Sequence, residues 1–197
     1  MSTTGNINIS KRYTYAEYLQ WSLEESVELI RGQLFKKAPA PNLRHQEVSG
    51  NLHYLIKKFL WKESCKVFHA PFDVRLPLLV DQQKDEDITT VVQPDICVVC
   101  DPDKLDARGC VGAPDWIIEI LSPATSSKDL REKYQIYEQV GVKEYWVIHP
   151  HEETLQIFRL NEEGIYEGRA LPYVREDIVQ VTSLPGLEIK LDDVFSD

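Results

Sequence analysis

Positive charge is in short supply in this chain. Its 22 Lys and Arg residues face 32 Asp and Glu, a formal net charge of −10 over 197 residues. That balance argues against bulk electrostatic attraction to nucleic acid or to anionic lipid, while leaving room for a local basic cleft. Cysteine is scarce as well: Cys65, Cys97, Cys100 and Cys110 are too few for a disulfide scaffold at this length. No run approaches the ~18 apolar residues of a membrane span. The opening MSTTGNINISKRY lacks the apolar stretch of a secretory signal. These absences predict a soluble protein in a reducing, cytoplasmic setting with no membrane partner. Repeats and low-complexity tracts are missing too. What is present is an ordinary globular composition, and a chain this long buries roughly 70% of its unfolded surface. One domain over 1–197 is expected.

Element signals follow in order. Thr14 can cap a helix running to about residues 21–23. Residues 27–30 and 33–35 read as a hairpin turning at Arg31-Gly32, and 37–42 as a linker. Val48, Leu52, Leu55, Ile56 and Phe59 recur at helical spacing, which predicts a helix over 45–61. Strands are expected at 66–70 and 72–79, then an acidic loop at 81–87. Three runs rich in β-branched and aromatic residues follow at 91–100, 116–121 and 144–148, with a helix at 127–140 between the last two. The fold class is α/β: a mixed central β-sheet flanked by helices, with antiparallel additions. Residues 13–160 form the expected core, and 161–197 add strands and turns whose apolar face offers a surface for a homodimer.

Two carboxylates stand where this pattern has no room for them. Asp95 lies in Val91-Val92-Gln93-Pro94-Asp95-Ile96-Cys97-Val98-Val99, and Glu119 in Trp116-Ile117-Ile118-Glu119-Ile120-Leu121. Both runs read as strands buried on both faces, where an uncompensated carboxylate is expensive. A strand end reaching solvent, or one Arg partner, accounts for either acid alone. For both together, a shared cation is the better account, and oxygen ligands suit Mg2+.

The following helix supplies an independent clue. With Leu130 at zero and ~100° per residue, Leu130, Tyr134, Ile136, Tyr137 and Val140 share an apolar arc. Lys133 falls inside that arc at about 300°, as does Asp129 at about 260°. A lysine stem snorkelling to the surface satisfies that position; so does an ammonium aimed at the two carboxylates. Lys133 lies ~9 Å along the axis from Ser127, within reach of the preceding strand. Two carboxylates, a divalent cation and a lysine are the parts of metal-assisted phosphodiester hydrolysis.

Pro94-Asp95 followed by Glu119 resembles the PD-(D/E)XK restriction-endonuclease-like superfamily. More specifically, the chain resembles the Uma-type endonucleases. The matching stretches are Glu28-Leu29-Ile30-Arg31-Gly32, Arg44-His45-Gln46, Val92-Gln93-Pro94-Asp95-Ile96, Ile118-Glu119-Ile120-Leu121-Ser122-Pro123, Asp129-Leu130-Arg131-Glu132-Lys133-Tyr134 and Gly141-Val142-Lys143-Glu144-Tyr145-Trp146-Val147-Ile148. They lie in order over about residues 13–160. The resemblance implies a restriction-endonuclease-like core and a metal-dependent endonuclease that hydrolyses phosphodiester bonds in DNA. It implies Mg2+ or Mn2+ held by Asp95, Glu119 and the backbone carbonyl of Ile120. Glu28 would complete the site or hold a metal-bound water. Lys133 would orient or deprotonate a water and balance charge on the attacked phosphate. The superfamily's E-x-K lysine position is Leu121 here, where a lysine would share the face of Glu119. In the Uma-type pattern that lysine moves to the next helix, and Lys133 matches it, the residue the helical wheel also picks out.

Other residues rank lower. His45 matches the family and is placed to contact a phosphate through a helix terminus, although capping or packing also explains it. Arg12, Lys36, Lys37, Arg44, Lys57, Lys58, Lys128 and Arg131 offer a basic rim, with Arg44 and Lys128 as DNA contacts. Asp73 reads as a solvent-facing ion pair with Arg75. Cys97 and Cys100 read as buried structural thiols, because residues three apart in a strand face opposite sides. Tyr145 and Trp146 read as core. Two further functions stay open. One is an inactive nuclease fold kept for binding or self-association, which the charge of −10 favours. The other is a hydrolase of a small phosphodiester, which needs no extended basic surface.

Overall fold

The computed structural model describes residues 10–21, 27–36, 42–82, 84–122 and 127–196, with the backbone alone at 127–129. Thr14 caps α1 (Tyr15–Tyr18) in a reciprocal capping box with Glu17. The helix is shorter than expected, and the linker 37–41 lies outside the described residues. β1 (Val27–Ile30) and β2 (Gln33–Lys36) pair across a two-residue turn at Arg31 (φ 51°) and Gly32 (φ 80°). Positive φ at both central positions is the turn geometry whose twist suits a tight hairpin. α2 (Leu43–Phe59) begins at Asn42, whose side chain accepts the His45 N–H at 2.9 Å.

β3 (Lys66–His69) and β4 (Asp73–Arg75) come next, the latter shorter than the expected 72–79. The single strand expected over 91–100 is two strands, β5 (Val91–Val92) and β6 (Ile96–Val99), and they belong to different sheets. The reason is Pro94, which has no N–H to give to a ladder. The chain therefore leaves one sheet and enters the other at Pro94-Asp95. A 3-10 turn (Pro102–Lys104), β7 (Leu105–Asp106) and β8 (Gly109–Val111) follow, then β9 (Trp116–Ile120), α3 (Ser127–Val140), β10 (Glu144–His149) and β11 (Thr154–Leu160). The chain continues through β12 (Tyr166–Gly168), β13 (Tyr173–Val174), β14 (Ile178–Gln180), β15 (Glu188–Lys190) and α4 (Leu191–Phe195).

One sheet has the order β2-β1-β5-β4-β8-β7. The other runs β12-β11-β10-β9-β6-β3, with β13 on β11, and β14 pairs with β15 alone. β9 and β10 are parallel, joined by α3, while β6 and β9 are antiparallel. The second sheet is covered on both faces, which is why its strands read as unbroken apolar runs. Strand alternation sorts them. Trp116, Ile118, Trp146 and Ile148 pack with Val48, Leu52 and Ile56 of α2. Ile117, Tyr145 and Val147 pack with Ile136 and Tyr137 of α3.

In the C-terminal segment Val179, Leu187 and Ile189, with Leu191 and Phe195 of α4, are buried in the cluster around Trp116 and Trp146, while Ile165, Leu171, Val174 and Ile178 are exposed. Two expectations are corrected here. Asp73 and Arg75 do not pair in solvent. Asp73 accepts from the Tyr15 hydroxyl and the Gln93 amide, and the Arg75 guanidinium is buried against Asp106. β4 is an interior strand of its sheet, so its side chains are taken up by neighbours on either side. Finally, Cys100 is not a free thiol but is joined to Cys65. The β3–β6 register pairs Lys66 with Val99, and one step further sets Cys65 opposite Cys100. Cys97 and Cys110 are free and buried.

Candidate active site

The seam between the two sheets gathers the predicted acids. Glu119 lies on β9 and shares the face of Ile117, so it points toward α3 rather than α2. The β6–β9 register pairs Ile96 with Ile118, and one step further places Asp95 opposite Glu119. Asp95 Oδ2 accepts the Ile120 N–H at 2.8 Å. Glu28 arrives from β1 in the other sheet, where its Oε1 accepts the Gln93 N–H at 2.7 Å. Lys133 closes the group from the second turn of α3. Its Nζ lies 2.9 Å from Glu119 Oε1 and 3.0 Å from Glu28 Oε1. Glu28, Glu119 and Lys133 are each at most 9% exposed, so the lysine does not snorkel.

Two residues join them that sequence patterning assigned elsewhere. His45, at the start of α2, sets its Nε2 3.3 Å from Asp95 Oδ2, and its buried Nδ1 has no hydrogen-bond partner among the described residues. Its backbone N–H is already taken by Asn42, so the side chain, and not the helix terminus, meets the site. Tyr137 donates its hydroxyl to Glu119 Oε1 at 2.7 Å. The wheel put Tyr137 in the apolar arc as core. The missed signal is its place one helical turn after Lys133, since a buried phenol needs a hydrogen-bond partner. Arg44 goes elsewhere: its guanidinium donates to Glu153 and to the carbonyls of Phe195 and Pro150, tying α2 to the C-terminal end. The side chains of Lys128 and Asp129 lie outside the described residues.

The electrostatics are those of a site with surplus negative charge. Burial raises the Glu119 pKa, and the Asp95 and Glu28 carboxylates push the same way, against the pull of Lys133. Burial works against the Lys133 charge, but Glu119 and Glu28 outweigh it and hold the ammonium above the ordinary lysine range. Tyr137 is pushed well up by burial and by Glu119, which keeps its proton on the donating oxygen. Three carboxylates against one ammonium, which two of them contact, suit an added cation, and the donors are all oxygen, as Mg2+ or Mn2+ prefers. Within an extended strand the N–H and C=O of one residue point to the same edge. The Ile120 carbonyl therefore shares the edge on which its N–H meets Asp95. Asp95, Glu119 and that carbonyl fit a cation that keeps much of its water. Among the described residues, no group of three or more His, Cys, Asp and Glu side chains is placed to hold a metal ion by itself.

Residues 15–192 match the sequence model of the Uma2 family, whose description reads "Putative restriction endonuclease". The chain belongs to the Uma2 family. The match takes in Glu28, His45, Asp95, Glu119 and Lys133, and it extends through the C-terminal strands beyond residue 160. A Synechocystis sp. protein named "Uncharacterized protein slr1290" is 23% identical over 182 residues, 91% of this chain and 89% of that protein. The fold is shared with a "putative nuclease belonging to DUF820" from Anabaena variabilis, known from its crystal structure. The TM-score is 0.71 at 23% identity, with 93% of this Uma2 chain and 98% of the other covered. No helix of the described residues is long and apolar enough to cross a membrane.

Proposed function

We propose that this Uma2 protein is a metal-dependent endonuclease that hydrolyses phosphodiester bonds in DNA in the cytoplasm. The observation that carries the reading is Lys133. It comes from a different element than either acid, yet places its ammonium within 3.0 Å of Glu119 and Glu28 beside Asp95. The family description and the nuclease-like fold support the same reaction class.

Asp95, Glu119 and the Ile120 carbonyl would hold Mg2+ or Mn2+, which supplies Lewis-acid polarisation of the scissile phosphate when bound. Lys133, kept charged by its two carboxylates, offers an ammonium to a phosphate oxygen or orients the attacking water. Glu28 holds Lys133 in place and is itself fixed by the Gln93 N–H. Tyr137 and His45 are positioning residues: the first orients Glu119, the second Asp95.

Calorimetric titration of Mg2+ and Mn2+ into wild type and Glu119→Gln tests the reading, with plasmid and oligonucleotide cleavage assayed in the same buffers. Metal binding and cleavage are expected to vanish together in the variant. Cleavage that persists in Glu119→Gln overturns the assignment. Absence of both in wild type favours the non-catalytic alternative to which the charge of −10 points.

A further inference from the structure

The outer face of α2 borders a groove of about 740 Å3 for which the carboxylate chemistry has no use. One of its walls is a row of residues four apart, neighbours on a helix surface. The row passes Ser49, His53 and Lys57 and ends at Trp61 in the turn after the helix. One step back along the same helix face, outside the groove, is buried His45 beside Asp95; at 1.5 Å per residue His45 and Trp61 are ~24 Å apart. His69 of β3 forms another wall. Its ring packs edge-on against His53 at 5.0 Å, and the next residue, Ala70, donates its N–H to the Asp95 carbonyl. The helix and the strand that line the groove thus each lead on to the site.

Its lining differs from the rest of the molecule. Among the described residues no carboxylate lines it, although the chain has 32. Trp61 and Tyr54 are 69% and 62% exposed, and the Lys58 ammonium lies 5.9 Å from the Tyr54 ring centre. Gly50 sits mid-helix, where an added Cβ would meet nothing within 4 Å. Packing therefore does not require glycine there, and glycine weakens a helix interior. What a bare Cα permits is close approach of another chain to the backbone. Lysines in a last helical turn complement the helix dipole unaided; the exposed rings and Gly50 have no such account.

We propose that this groove carries a single-stranded stretch of the DNA substrate. Bases stack on Trp61 and Tyr54, the backbone passes close over Gly50, and phosphates follow Lys57 and Lys58 toward Asp95. A duplex keeps its bases stacked on one another and offers these rings no free face, so an unpaired strand is the form that fits. The path toward Asp95 rests on the nuclease reading above; the groove itself does not.

The test is anisotropy of a fluorescein-labelled oligothymidylate, about 12 nucleotides long, bound to the full chain in EDTA, beside a duplex of equal length. Trp61→Ala and Gly50→Leu are each expected to weaken single-strand binding about tenfold. Gly50→Leu should do so while raising Tm, which separates binding from folding. The Lys57→Gln, Lys58→Gln pair should flatten the slope of log affinity against log salt by roughly 1.4. Equal binding by wild type, Trp61→Ala and Gly50→Leu overturns the groove, as does a duplex preference that these substitutions leave intact. Glu119→Gln in the cleavage assay scores the site separately. Cleavage surviving there, with binding still dependent on Trp61, removes the nuclease reading and keeps the groove. Cleavage lost there, with binding independent of Trp61, does the reverse.

Discussion

Lys133 is buried between two acids, and each of its neighbours depends on it. Its folded pKa is raised, so the stabilisation it provides is fully present below the ordinary lysine value and is lost only as pH rises through the higher one. At neutral pH Lys133→Ala leaves Glu28 and Glu119 buried without their cation. That should cost about 3–5 kcal/mol in urea unfolding and abolish cleavage in samples shown by circular dichroism to be folded. Undiminished cleavage would remove Lys133 from the mechanism. Glu119 gives a slope of the same sign in a more acidic window. Its folded pKa is raised above 4.5, so from that pH upward the folded state holds more proton than the unfolded one and stability falls as pH climbs. Glu119→Gln should flatten this decline in metal-free buffer. A slope identical to wild type would show that Glu119 is not the titrating group.

Elements meet at the site because specific side chains pin their ends. Pro94 breaks what would otherwise be one long strand, and the break brings Asp95 to the junction of two sheets. Glu144, at the start of β10, has no exposed surface. It accepts from the Trp146 indole at 3.0 Å and from the Ser183 N–H and hydroxyl at 2.8 and 3.0 Å, fastening the C-terminal segment to the central sheet. Glu144→Ala strands the buried indole N–H and frees that segment. The expected loss is about 3 kcal/mol in urea unfolding, since hydrogen bonds to charged groups are worth roughly 1.5–3 kcal/mol each. A loss below about 0.5 kcal/mol, the size typical of surface substitutions, would show that the fastening adds nothing.

For the molecule as a whole, the C-terminal segment is part of the core and not an appendage. Val179, Val181, Leu184, Leu187, Ile189 and the apolar residues of α4 are all buried there. At roughly 1.5–3 kcal/mol for each buried side chain, their removal matches or exceeds the ~5–15 kcal/mol that holds a typical domain together. A chain ending at residue 176 is expected to lack cooperative thermal unfolding and to be cut rapidly by protease. A sharp transition in that truncated chain would mean that residues up to 176 hold a core of their own. The family match through residue 192 agrees with the burial.

What could be read along the chain was whatever depends on sequence neighbours. The α2 and α3 helices, the β1–β2 turn, the Thr14 cap and the position of Lys133 on its helix follow from periodicity and local backbone preference. So does the misfit of Asp95 and Glu119 in apolar strands, which pointed to half of the site before any contact was known. Glu28 and His45 entered only by resemblance, because nothing local says that a strand in one sheet and a helix start will converge on the same lysine. Tyr137 was legible as buried but not as a donor, since a helical wheel gives a direction and not a partner. The Cys65–Cys100 link depends on β3–β6 register, and the fate of the C-terminal apolar residues on which face of the sheet lay open. These were decided by how two sheets and their covering helices pack, a matter of volume and register between segments far apart in sequence.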